Sequence, residues 1–87
     1  MEITPRQFEL TIENHMVRAE YRLEGTELHI DYVESPPKLR GTGAAGKLMR
    51  NIADYATKQE FHISPHCGYA AAWLRKHKEF HSLTAKA

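Results

Sequence analysis

A chain of 87 residues, 41% hydrophobic and 26% charged, is expected to form one small soluble domain with a modest core, spanning 1–87. A formal net charge of +1 argues against a broad nucleic-acid surface, and one cysteine excludes an internal disulfide framework. No apolar run is long enough to span a bilayer, so no membrane partner is expected, and Met1-Glu2-Ile3-Thr4-Pro5 lacks a secretory hydrophobic stretch, which makes the cytoplasm the expected compartment.

The first third reads as β structure. Phe8, Leu10 and Ile12 alternate with Glu9, Thr11 and Glu13, the period of a half-buried strand. Asn14-His15 supplies a turn. Val17, Ala19, Tyr21 and Leu23 then alternate with Arg18, Glu20 and Arg22, and Glu24-Gly25-Thr26 supplies a second turn. Leu28, Ile30 and Tyr32 alternate with His29 and Asp31, with Val33 extending the strand. The pattern predicts a three-stranded antiparallel meander, ended by Ser35-Pro36-Pro37 because proline cannot donate to a sheet ladder.

A central helix is predicted over Ala44 to Gln59. Ala45, Leu48, Met49, Ile52, Tyr55 and Ala56 share one face, while Lys47, Arg50, Asp54 and Lys58 lie elsewhere. Phe61-His62-Ile63 reads as a short fourth strand stopped by Pro65. Gly68 or Tyr69 through His77 reads as a C-terminal helix that buries Ala70, Trp73 and Leu74. The predicted class is α+β with the order β-β-β-α-β-α, and the tail from His81 onward is expected to fray. No repeat, linker or low-complexity segment interrupts it.

The most informative stretch lies between the meander and the central helix: Pro37-Lys38-Leu39-Arg40-Gly41-Thr42-Gly43-Ala44-Ala45-Gly46. A glycine-rich turn that opens a helix leaves main-chain N–H groups without helical partners, and the helix dipole adds partial positive charge there. Together they favour a phosphate or diphosphate. Gly41 and Gly43 let a ligand approach the backbone, and Arg40 can add a charge-assisted contact. The turn is not a Walker loop, because Leu48 follows Gly46-Lys47 where Ser or Thr is required. Gly41, Gly43 and Gly46 have dinucleotide-fingerprint spacing, but no second βαβ half comes after them. A turn shaped only by packing is the bland alternative.

These residues also carry a family resemblance. Arg40-Gly41-Thr42-Gly43-Ala44-Ala45 fits the Gln/Arg-x-x-Gly-x-Gly/Ala signature of the GNAT acetyltransferase superfamily, with Pro37 where its Val-x-Pro segment places one. Cys67-Gly68-Tyr69-Ala70-Ala71-Ala72-Trp73-Leu74-Arg75-Lys76-His77 resembles the end of the small single-domain GNAT-like proteins, which carry a Cys before a similar aromatic helix. The resemblance is clearest over residues 30–80.

It implies a truncated GNAT-like fold and binding of acetyl-CoA or another acyl-CoA as co-substrate, with no metal. By the same resemblance, Arg40, Gly41, Thr42, Gly43, Ala44 and Ala45 would hold the CoA diphosphate, and Val33, Glu34 and Ser35 would pair with the pantetheine arm like an added strand. The strands ending near Ser35 and running Phe61 to Ile63 would splay apart to admit that arm. The helices that usually shape the acceptor pocket are expected to be absent, leaving the acceptor an unidentified amine.

For catalysis, Leu74 falls where full-length relatives present a proton-donating Tyr, and Leu cannot donate. Cys67, near a helix start, is the candidate acid or nucleophile; the bland alternative is a small buried cysteine. Glu34 is a candidate general base, or a solvated edge carboxylate. Tyr69 is a candidate to close over the arm or contact the acceptor, or else a core tyrosine with a satisfied hydroxyl, and Trp73 is expected to anchor the core.

Two rivals stand beside this reading. His62-x-x-x-His66-Cys67 and His77-x-x-x-His81 have spacings known from metal sites, which would suit a small structural metal domain if their side chains converged. A CoA-binding module without transfer is the other. A monomer or weak homodimer fits either. Arg75, Lys76 and Lys78 form a local basic cluster, too small against the near-neutral total for a nucleic-acid reader.

Overall fold

The computed structural model describes residues 1–84. Its strands are β1 (Glu2–Ile3), β2 (Gln7–Ile12), β3 (His15–Glu24), β4 (Glu27–Glu34) and β5 (His62–Pro65). The helices are α1 (Ala44–Gln59), α2 (Gly68–Lys76) and α3 (His81–Thr84), with single 3-10 turns at Pro37–Leu39 and Lys78–Phe80. The fold is mixed α+β. It differs from the expected order by the two-residue β1, the 3-10 turns and the α3 turn. The expected fraying falls partly on residues 85–87, outside the described residues; His81–Thr84 are helical, with Leu83 buried.

One five-stranded sheet runs in the order β1-β2-β3-β4-β5. β2, β3 and β4 form the antiparallel meander. The first hairpin turns through Glu13 and Asn14, both at positive φ, which matches the twist of the strands on either side. α1 then carries the chain across to β5, which pairs parallel to β4 from Glu27↔His62 to Ile30↔Pro65. The strand thus starts one residue later than expected and includes Pro65, which is tolerated at the end of an edge strand.

Alternation fails once, and the failure matters. Tyr21 opposes Ile30 but Glu20 opposes Tyr32, so Asp31 is an extra residue in β4, a β-bulge. The bulge shifts the phase of the residues after it. Tyr32, expected inward with Leu28 and Ile30, is 46% exposed, and Val33 takes the inward position. Leu23 is likewise exposed, near the hairpin end.

All three helices pack on one face of the sheet. Phe8, Val17, Leu28, Ile30 and Ile63 from the strands meet Leu48, Met49 and Ile52 of α1, with Ala70, Trp73, Leu74 and Leu83 closing the core. Every one of these side chains is removed from water, and at about 25 cal/mol per Å² that apolar burial is the main force holding the domain together. Trp73 ties the helices: its ring stacks on His77 at 3.7 Å, and the Arg50 guanidinium lies 5.7 Å from it. The opposite face of the sheet carries ion pairs instead.

Candidate functional site

The β4–β5 ladder stops at Ile30↔Pro65. Past that point the edge of β4 has no strand neighbour among the described residues, because the chain turns away into α2. Two amides mark the parting: His66 and Cys67 both donate their N–H to the Ile30 carbonyl, at 2.8 and 3.3 Å. The unpaired edge from Asp31 to Glu34 keeps β3 on its other side, through Glu34↔Arg18.

This open edge leads to a cavity of about 450 Å³ lined by Val33, Ser35, Leu39, Arg40, Gly41, Gly43, Ala44, Ala45 and Tyr69. Local chemistry explains its wall. Pro37 begins a 3-10 turn in which Leu39 N–H donates to Pro36 and Arg40 N–H to Pro37. Thr42 closes the next turn with both its N–H and its hydroxyl on the Leu39 carbonyl, at 3.2 and 2.5 Å. Gly41 and Gly43 stand at φ of +80° and +83°, a left-handed conformation that costs other residues about 1–2 kcal/mol. A Cβ on either glycine would meet nothing within 4 Å, so both face open space.

The start of α1 is uncapped. Its first helical bond runs from Lys47 N–H to the Gly43 carbonyl, so the amides of Ala44, Ala45 and Gly46 precede it, and no side chain caps the turn. Helix dipole and free amides therefore point the same way, toward an anion. Ser35 supplies a second unsatisfied group. Its Oγ is buried and has no hydrogen-bond partner among the described residues, which costs about 1–3 kcal/mol unless a ligand supplies one. Arg40 is exposed at the rim, with its Nε 3.3 Å from the Ser35 carbonyl.

Tyr69 covers the cavity from α2. Its surface is 44% open, yet partial burial of the hydroxyl pushes its pKa above the ordinary value, so it stays a neutral donor. α1 and α2 meet closely at this point: a methyl on Gly46 would sit 3.3 Å from Trp73 Nε1 and 3.6 Å from the Tyr69 hydroxyl.

The structure thus gathers Val33, Ser35, Arg40, Gly41, Gly43, Ala44, Ala45 and Tyr69 around one space. Thr42 does not line it; it braces the turn beneath. Glu34 does not line it either. Its carboxylate sits on the face away from the helices, held by Arg18 Nη2 at 2.7 Å and Nε at 2.9 Å. Arg18 also pairs with Glu20 at 2.5 Å, and these two carboxylates hold its guanidinium more firmly protonated, Glu20 most strongly. Cys67 caps α2 in an extended conformation, half-buried against the core and a short way along the open edge from the cavity. Leu39 also lines the cavity and is buried, though it was not among the expected site residues; a lone apolar side chain in a polar turn was the available signal.

Leu74 is 3% exposed and packs in the core. The two histidine pairs are not gathered. His77 Nδ1 meets the Trp73 carbonyl at 2.7 Å, His81 Nε2 the Arg75 carbonyl at 3.0 Å, and His62 is exposed on β5. Among the described residues no group of three or more His, Cys, Asp or Glu side chains converges as a metal site. Nor is any helix there long and apolar enough to cross a membrane.

A family model for GCN5-related N-acetyl-transferases matches residues 7–83, from the start of β2 to α3. No curated relative matches the chain.

Proposed function

From the premise that the chain belongs to the GCN5-related N-acetyltransferase family, we propose that it binds acetyl-CoA and transfers the acetyl group to an amine. The observation that carries this reading is the meeting of three unsatisfied features in one cavity. They are the uncapped amides of α1, the unpaired edge of β4 and the orphan hydroxyl of Ser35. A diphosphate suits the first, an extended amide-bearing arm the second, and an amide of that arm the third.

In this reading the amides around Gly43 to Gly46 hold the diphosphate, with Arg40 adding charge from the rim. Val33 and Ser35 take the pantetheine arm along the open edge, and Tyr69 closes over it. Glu34 contributes main chain, since Arg18 already holds its carboxylate. Laid antiparallel to β4, the arm carries the thioester toward Ile30 and the start of α2. Cys67 stands there, able to protonate the departing thiolate or to accept the acyl group.

An NMR titration with acetyl-CoA tests the binding half. Amide shifts are expected to concentrate at Arg40 to Ala45 and at Val33 to Ser35. Shifts centred elsewhere, or none, would refute it. A second reading, binding without transfer, is favoured by the burial of Leu74 where relatives present a tyrosine acid. Saturable binding of acetyl-CoA with no acetyl transfer to a panel of amines would select it.

A further inference from the structure

On the sheet face away from the helices, three side chains form a line that ends at the parting of β4 and β5. Glu24 Oε1 lies 2.8 Å from His29 Nε2, and His29 Nδ1 lies 2.8 Å from His66 Nε2. The imidazoles are 15° from parallel with centroids 5.1 Å apart, the arrangement of two rings meeting edge to edge in nearly one plane. His29 is half-buried, with 16% of its side-chain surface open, and His66 is exposed. His66 directly precedes Cys67, and its own amide is fixed to Ile30.

The carboxylate sets the protons along this line. Glu24 only accepts, so His29 Nε2 carries the hydrogen it donates. A neutral His29 then has a bare Nδ1, which must accept from His66 Nε2–H. That leaves the lone pair of His66 on Nδ1, which has no partner among the described residues. The line therefore delivers one bare, outward nitrogen at the place where the open edge meets α2. Several other charges on this face are engaged: Arg22 with Asp31 at 2.7 Å, Arg18 with Glu20 and Glu34, and Glu27 with the Ser64 hydroxyl.

We propose that His66 Nδ1 is the base that takes a proton from the incoming ammonium group of the acceptor, with His29 and Glu24 as positioning residues that fix its tautomer. The proposal rests on the transfer reading above. The balance is simple. The ammonium gives one proton to His66 and becomes a neutral amine. Its lone pair forms the C–N bond as the C–S bond breaks, and the electron pair leaves on sulfur. A second amine proton passes to that sulfur, directly or through the Cys67 thiol, and His66 later releases its proton to water. An acceptor that is already neutral does not need the first step.

That difference supplies the test. Methylamine is protonated at neutral pH, as a lysine side chain is; hydroxylamine is neutral. Acetyl transfer from acetyl-CoA to each is compared in wild-type protein and in His66→Asn. The substitution is expected to lower kcat with methylamine about a hundredfold. Transfer to hydroxylamine and the KM for acetyl-CoA should barely change. Nitrogen-15 NMR of the full chain reads the line directly: Nδ1 of both His29 and His66 should be unprotonated at neutral pH, and Glu24→Gln should destroy that single pattern. An Nδ1–H tautomer at His66, or undiminished methylamine transfer by His66→Asn, overturns the proposal alone. Wild-type protein that binds acetyl-CoA but acetylates neither nucleophile overturns the transfer reading, and this proposal with it.

Discussion

α1 and α2 both begin without a side-chain cap, and in each three amides precede the first helical bond, Lys47 to Gly43 in α1 and Ala71 to Cys67 in α2; they differ in the residue each starts from. α1 starts from a left-handed glycine with open space around it and three amides left over. α2 starts from Cys67 in an extended conformation, its N–H and that of His66 both tied to the Ile30 carbonyl. The first start opens on the cavity; the residues before the second are fixed to the sheet. One helix terminus borders open space, and the other keeps His66 and Cys67 in place beside the sheet.

Removing the link between the two helices should have the largest effect. Trp73→Ala takes away the ring that abuts Gly46 of α1 from within α2. Loss of about 3–5 kcal/mol is expected in a denaturant titration, as for other large aromatic truncations. A loss well under 1 kcal/mol would mean the helices do not depend on one another.

The open start can be probed against a matched control. Gly43 and Gly25 both sit at positive φ with nothing near a built Cβ. Alanine at either should cost about 1–2 kcal/mol of stability. Only Gly43→Ala should also weaken acetyl-CoA binding, by about tenfold or more, since hydrogen bonds to a charged group are worth about 1.5–3 kcal/mol. Equal binding by the two variants, measured calorimetrically, would remove the special status of the α1 start.

Ser35→Ala sharpens the same contrast with opposite signs. Deleting the unpaired hydroxyl should stabilise the free protein by about 1 kcal/mol. Acetyl-CoA affinity should fall. If thermal melting drops instead, the hydroxyl has a partner in solution.

The smallest effect is expected on the sheet face away from the helices. The Arg22 hydrogen bond holds the Asp31 carboxyl below its ordinary value of 3.8, with smaller contributions from the charge of Arg22, then His66 and His29. A depressed carboxylate adds stability above that value and loses it as the pH falls through the lowered one. Arg22→Gln should therefore raise the Asp31 titration midpoint by NMR and flatten the stability profile below about pH 4, leaving acetyl-CoA binding unchanged. The pair is surface-exposed, so the gain is modest.

Much of the fold was legible because periodicity reports burial. The apolar stripe of α1 gave Ala44 to Gln59 with the bounds observed. The alternation of β2 and β3 gave the meander. β1 escaped notice because two residues have no period; it is fixed by pairing with β2 and by Thr4, which bonds Gln7 through both backbone and hydroxyl. The glycine turn was legible as chemistry, since amide donors and helix polarity are set by residue type and order. Glu34 was legible only as a carboxylate, because its partner Arg18 becomes its neighbour only through strand pairing. The same holds for His29 and His66, which lie 37 positions apart and meet only when β5 docks beside β4.

The extra residue in β4 has a consequence for which wall the cavity receives. With unbroken alternation, Leu28, Ile30, Tyr32 and Glu34 would all turn toward the helices, and Val33 would turn away. A carboxylate would then stand beside the bare amides of α1 and repel any anion that approached. Asp31, by taking up one position on its own, hands the inner side to Val33 and sends the negative charge of Glu34 to the far side of the sheet. One surplus residue thus sets the electrical sign of the chamber.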